Sequence, residues 1–147
     1  VEPVTADVSR RVARVTLKLP YTTPPKGLYA NVRTHWRRRS ADTLQVRNDV
    51  TNLAKAAHLH RITGIRHVTV ELVWAPGDRR RRDADNLWPL LKCVCDAIAR
   101  GRSDLVGLDL VPDDTPEHMT KLAPRIDPPP ASKGMFVHID LHLGEAS

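Results

Sequence analysis

A single α+β domain spanning residues 1–147 is predicted by three observations. Several segments alternate apolar and polar residues as half-buried strands do, two amphipathic helical patterns are interleaved with them, and 147 residues suffice to bury a substantial core. The order reads β-α-β-α-β-β. That order predicts a mixed four-stranded sheet with two helices packed on it.

Each element has its own justification. Residues 11–19 set Val15, Leu17 and Leu19 against Arg14, Thr16 and Lys18, the period of a strand. Residues 20–39 carry Pro24, Pro25 and Gly27, then Asn31, Arg33, His35, Trp36 and the triplet Arg37, Arg38, Arg39, which predicts an irregular basic loop. Ser40 or Asp42 is expected to cap a helix running to about Arg61, with Val46, Val50, Leu53 and Ala57 as its buried face. Gly64 closes that region. In residues 67–75, Val68, Val70, Leu72 and Trp74 alternate with Thr69 and Glu71, a second strand that stops at Pro76-Gly77.

A second helix follows, with Leu87, Leu91, Val94 and Ile98 on one face and an end near Gly101. Pro89 is comfortable only in a first turn, so the regular helix is expected to begin at Trp88 or Pro89. Residues 117–126 and 135–143 read as an antiparallel pair joined by the proline-rich stretch from Asp127 to Gly134. In the last strand Val137, Ile139, Leu141 and Leu143 face inward, and His138, Asp140 and His142 face the other way.

Composition narrows the partners. Apolar residues make up 41% of the chain and charged residues 27%, the balance of a globular protein. A formal net charge of +6 favours an acidic macromolecule, most economically nucleic acid. Aromatic residues are only 4%, which argues against a broad platform for stacking single strands. Cys93 and Cys95 sit two apart on a helix and cannot pair, so they are expected as buried reduced thiols in a cytoplasmic protein. No run approaches the ~20 apolar residues of a membrane span, and no secretory signal is read.

The chemistry concentrates at Asp78-Arg79-Arg80-Arg81-Arg82-Asp83-Ala84-Asp85-Asn86-Leu87. Four arginines attract a polyanion. In an extended segment Asp83 and Asp85 aim their carboxylates at one point, where a hard divalent cation relieves their repulsion. Asp85 is also a candidate cap for the second helix. Pro112-Asp113-Asp114 supplies a further acidic pair that would complete an oxygen-rich metal site if the loop folded back. The same residues also read as charge neutralisation, helix capping and ordinary turn chemistry, and spacing alone leaves both readings open. Lys92 and Asp96 form an i, i+4 pair on the polar face of the second helix. The histidine pairs His58/His60 and His138/His142 lack a carboxylate partner and read as surface or interface residues. His35 and Trp36 are placed either to touch DNA or to anchor the basic loop.

At these residues the chain resembles the RusA family of Holliday-junction resolvases. That family shows an arginine-rich strand exit, a D-x-D-N-L motif, a lysine on the next helix and a D-D pair in the following loop. Asp78 to Arg82, Asp83-Ala84-Asp85-Asn86-Leu87 and Pro112-Asp113-Asp114 match it, and the element order and length extend the resemblance over most of the chain. The resemblance implies a homodimer that binds a four-way DNA junction and makes paired Mg²⁺-dependent nicks, with Mn²⁺ a candidate substitute, in a bacterial cell or from a phage-borne gene. It implies Asp83, Asp85 and Asp114 as the metal-binding carboxylates, with Asp114 preferred to Asp113. One departure is plain: Pro89 stands where the family lysine usually lies, and Lys92 takes its place if three residues are inserted. The loop from Gly101 to Val111 is also longer than the family pattern. Lys92 is then the catalytic or phosphate-contacting lysine, and Arg79, Arg80, Arg81 and Arg82 with Arg37, Arg38 and Arg39 are the DNA grip. A metal nuclease for flaps or duplex and a non-catalytic nucleic-acid-binding module are the rival readings.

Overall fold

The computed structural model describes residues 11–30, 33, 35–101 and 107–144. Its elements are β1 (Arg11–Leu19), α1 (Trp36–Ala56), β2 (Ile65–Ala75), α2 (Trp88–Ile98), β3 (Met119–Lys121), β4 (Arg125–Ile126) and β5 (Gly134–Leu143), with short 3₁₀ turns at Lys26–Leu28, Leu59–Arg61 and Ala84–Leu87. This is an α+β domain with a mixed sheet and two packed helices, as expected, but the sheet has five strands. Among the described residues no helix is long and apolar enough to cross a membrane.

The extra strand comes from a break inside residues 117–126. Pro124 has no N–H to donate, so the segment pairs as β3, skips, and pairs again as β4. Backbone bonds from Leu122 to Val70 and from Asp127 to Trp74 hold it along β2. The expected antiparallel pairing of 117–126 with 135–143 is overturned. Both edges of β5 are already taken, by β1 on one side and β2 on the other, each antiparallel. The short segments therefore dock in parallel on the far edge of β2. Parallel pairing needs a crossover, and α2 with its flanking loops supplies it.

Alternation was a faithful guide to faces. Val68, Val70, Leu72, Val137, Ile139 and Leu141 are fully buried against the helices, joined by Leu17 and Leu19 of β1. Leu87, just before α2, and Leu91, Val94 and Ile98 within it are likewise fully buried, together with Leu90. The opposite sheet face carries polar side chains. There His138 bonds Thr16 at 2.8 Å, His142 bonds Thr69 at 2.9 Å, and Arg14 pairs with Asp140, so the histidines are surface residues held by hydroxyls on neighbouring strands.

The first helix departs from expectation at both ends. It begins at Trp36, capped by His35 Nδ1 accepting the Arg37 N–H at 3.2 Å, so Arg37, Arg38 and Arg39 lie in its first turn and not in a loop. Asp42 does not cap. Its Oδ2 accepts the Gly27 N–H at 2.8 Å and a bond from Arg38 Nε at 3.2 Å. A Cβ at Gly27 would meet that Asp42 oxygen at 2.7 Å, so only glycine lets the preceding loop lie so close. The helix stops at Ala56 because His58 takes a left-handed φ of 62°, and a 3₁₀ turn covers the remaining residues to Arg61. Its buried face is Val46, Arg47, Val50, Thr51 and Ala54, while Leu53 is half-buried and Ala57 exposed. Asn31 lies outside the described residues.

Candidate functional site

The Asp78–Leu87 stretch leaves β2 through a turn fastened to the sheet. Arg82 forms a two-pronged ion pair with Asp78 at 2.6 and 3.1 Å, and its guanidinium carbon lies 4.9 Å from the centre of the Trp74 ring. The Arg82 bond, with the Arg80 N–H, holds the Asp78 carboxyl well below the usual carboxylate range. Arg79 donates to the Pro129 carbonyl at 2.7 Å. Arg80 and Arg81 are exposed, and among the described residues their side chains make no ion pair. The run of four is thus two anchored arginines and two that face solvent.

Asp83 is extended, but Ala84 already enters a 3₁₀ turn, so Asp83 and Asp85 do not share one straight strand. Asp83 caps that turn, its Oδ1 accepting the Asp85 N–H at 3.0 Å. Asp85 was expected to cap the second helix. Instead it lies inside the turn, and α2 starts at Trp88 from a Leu87 cap position without a side-chain bond. Pro89 falls in the first turn of α2, where its missing N–H costs nothing. The Asn86 carbonyl accepts the Ala30 N–H at 3.1 Å, tying the basic segment to this turn.

Lys92 stands one turn further along α2, and the second acidic loop does fold back to it. The return is built from backbone: the N–H groups of Leu108, Leu110 and Asp109 bond the carbonyls of Ala97, Ile98 and Ala99, which the end of a helix leaves without partners. Gly107 permits the reversal, since a Cβ there would meet the Ala99 carbonyl oxygen at 2.5 Å. Residues 102–106 of the long loop lie outside the described residues. Asp114, not Asp113, then reaches Lys92: its Oδ2 accepts from Lys92 Nζ at 3.1 Å, and Lys92 also donates to Asp96 at 3.1 Å. Asp113 accepts the Asp114 N–H at 2.8 Å and shapes the turn.

Lys121 was not foreseen. It sits on β3, registered opposite Val70, and donates to the same Asp114 oxygen at 2.7 Å. No motif marks it, because its role depends on where β3 docks. Its side chain is 27% exposed against 63% for Lys92, so Lys121 is the fixed partner and Lys92 the accessible one. The bond from Lys121 holds the Asp114 carboxyl well below the usual range; burial opposes this and Lys92 reinforces it. Burial disfavours the charge on Lys92, but its bonds to Asp114 and Asp96 outweigh that and raise its pKa. Arg47, Lys92, Asp96, Ala99, Arg100, Asp113 and Asp114 line a cleft of about 320 Å³. Arg47 in its wall is only 5% exposed.

The structure therefore brings Lys92, Asp96 and Asp114 together. It does not place Asp83 or Asp85 in the walls of that cleft. Among the described residues no three carboxylate, histidine or cysteine side chains are gathered to hold a metal ion. The donor chemistry of Asp83, Asp85 and Asp114 suits a hard divalent cation, since all three offer carboxylate oxygens. Cys93 and Cys95 beneath the site are free and buried, and burial pushes both thiols up to about 12, so neither is a nucleophile at neutral pH. No protein-family model matches this chain, and no curated protein matches it.

Proposed function

We propose that this chain is a Mg²⁺-dependent endodeoxyribonuclease that resolves four-way DNA junctions, acting as a homodimer whose two centres make paired nicks. One observation carries the reading: the lysine of the second helix and the second aspartate of the acidic loop, 22 residues apart, meet at 3.1 Å.

In this reading water attacks the scissile phosphorus, the P–O bond to the leaving strand breaks, and the leaving oxygen takes a proton. Asp83, Asp85 and Asp114 would hold a Mg²⁺, which would supply Lewis-acid polarisation of the phosphate. Lys92, exposed at the mouth of the cleft, stabilises charge that develops on the phosphate or leaving oxygen. Lys121 keeps Asp114 ionised and aimed. Arg80 and Arg81, with Arg37 and Arg39, follow the phosphate backbone, and such contacts select shape rather than sequence. Two cuts related by symmetry fit a two-fold dimer.

Cleavage of a labelled four-way junction, compared with linear duplex of the same sequence, tests the reading in Mg²⁺, in Mn²⁺ and in EDTA. Paired nicks in the junction alone, lost in EDTA and in Asp83→Asn, are the expected result. Equal cleavage of duplex or flaps would replace resolution with general nuclease activity. Binding without cleavage in either metal would leave a non-catalytic DNA-binding module.

A further inference from the structure

Trp36 belongs to neither the core nor the acidic cleft. It is 66% exposed, more than any other large apolar side chain among the described residues, and it is not among the residues packed on the core. The alternative that it anchors the basic segment therefore fails. Its ring contacts come from its chain neighbours. The His35 ring centre lies 5.5 Å away at a 33° tilt, and the Arg37 guanidinium carbon lies 5.4 Å from the indole centre.

The platform under the ring is firm. His35 caps α1 through Arg37, and one turn later Asp42 fastens Arg38 and the Gly27 loop to the helix. No acidic residue lies in that first turn, while Arg37, Arg38 and Arg39 all stand exposed. An exposed indole on a capped helix start, beside exposed arginines, complements a polyanion that also offers an aromatic face. Nucleic acid meets both terms, but a fully paired duplex keeps its base faces stacked inside. We infer that Trp36 stacks on a base left unpaired at a branch point or in a single strand, while the neighbouring arginines hold the flanking phosphates. With one ring the contact reads the presence of one open base; it is not a track for a strand. The inference rests on the nucleic-acid reading above and adds the source of its preference for branched substrates.

Fluorescence anisotropy with labelled oligonucleotides in EDTA, where no cleavage intervenes, tests it on the full chain. The probes are a four-way junction, a single strand and a matched duplex, with wild type, Trp36→Ala and Trp36→Phe. Loss of one base–aromatic stack is expected to weaken junction and single-strand binding about tenfold in Trp36→Ala. Duplex binding should hold, Trp36→Phe should recover most of the loss, and junctions carrying 2-aminopurine at the branch should report the lost stack. Unchanged binding to every probe, or an equal loss on all three, overturns the inference. So does a change of sedimentation without a change of binding, which would assign the ring to a second copy of the chain. Failure of wild type to bind any probe defeats the underlying nucleic-acid reading first. Wild-type binding matched by Trp36→Ala defeats only the stacking contact.

Discussion

Asp114 and Asp83 are both loop aspartates assigned to one metal centre by the proposed function, yet their charges are handled in opposite ways. Asp114 is closed in by two ammonium groups on one oxygen, at 2.7 and 3.1 Å, and its side chain is 20% exposed. Asp83 and Asp85 are exposed and among the described residues make no ion pair; the Asp83 carboxylate accepts only the Asp85 N–H. The protein supplies a counter-charge to the first and leaves the second pair to find one. Under the proposed function the unbalanced pair is the one left for a cation to neutralise, whereas the balanced aspartate is a position set in advance.

The largest test of that contrast is at the open end. Asp83→Asn is expected to lower junction cleavage by about 10²–10³-fold while junction affinity holds or rises, because the lost group repels phosphate. Single-turnover rates and anisotropy separate the two effects, and full activity in Asp83→Asn would remove the turn from the site. At the closed end, Lys121→Met should cost about 10–100-fold in cleavage, the scale for a residue that orients a ligand without touching substrate. The loss should fall on kcat and not on KM, with Lys121→Arg recovering part of it. Lys92→Met, the accessible partner, should instead change both.

Acid should unbalance the closed end next. The folded-state pKa of Asp114 is depressed, so its ion pairs contribute stability in full above the ordinary carboxylate value of 3.8 and lose it as pH falls below that toward the depressed value. The thermal unfolding temperature of wild type should therefore exceed that of Asp114→Asn at pH 6 and converge with it in strong acid. A gap independent of pH would mean that Asp114 stabilises through shape and not charge.

The smallest expected effects divide the arginine run. Removing Arg80 or Arg81 should each reduce the slope of log affinity against log salt by about 1 and leave unfolding unchanged. Arg82→Ala should lower stability, since it unpairs Asp78 and uncovers Trp74. Its effect on the salt slope should be the weakest of the three.

Much of this was legible in the chain, and the reasons are local. Alternation at Val68, Val70, Leu72 and at Val137, Ile139, Leu141 reports which side of a strand is buried whatever its neighbours are. The helical spacing of Leu87, Leu91, Val94 and Ile98 reports a buried face in the same way. The start of α1 was missed because His35 caps with a ring nitrogen, so Ser40 and Asp42 offered more familiar capping signals than the residue that caps. In the acidic turn, the Asp83 carboxylate's capping of the Asp85 N–H displaced the extended conformation expected of Asp83-Ala84-Asp85.

By itself the sequence determined the strand faces, the stripe of the second helix, the reduced thiols and the identities of the charged groups, because period and chemistry belong to each segment alone. Only the tertiary structure decided the partners. The placement of β5 between β1 and β2, the return of Asp114 to Lys92 and the arrival of Lys121 from β3 all join residues far apart in the chain. Backbone pairing and the fold-back over the end of α2 set those distances. No spacing along a chain encodes where two of its loops will meet.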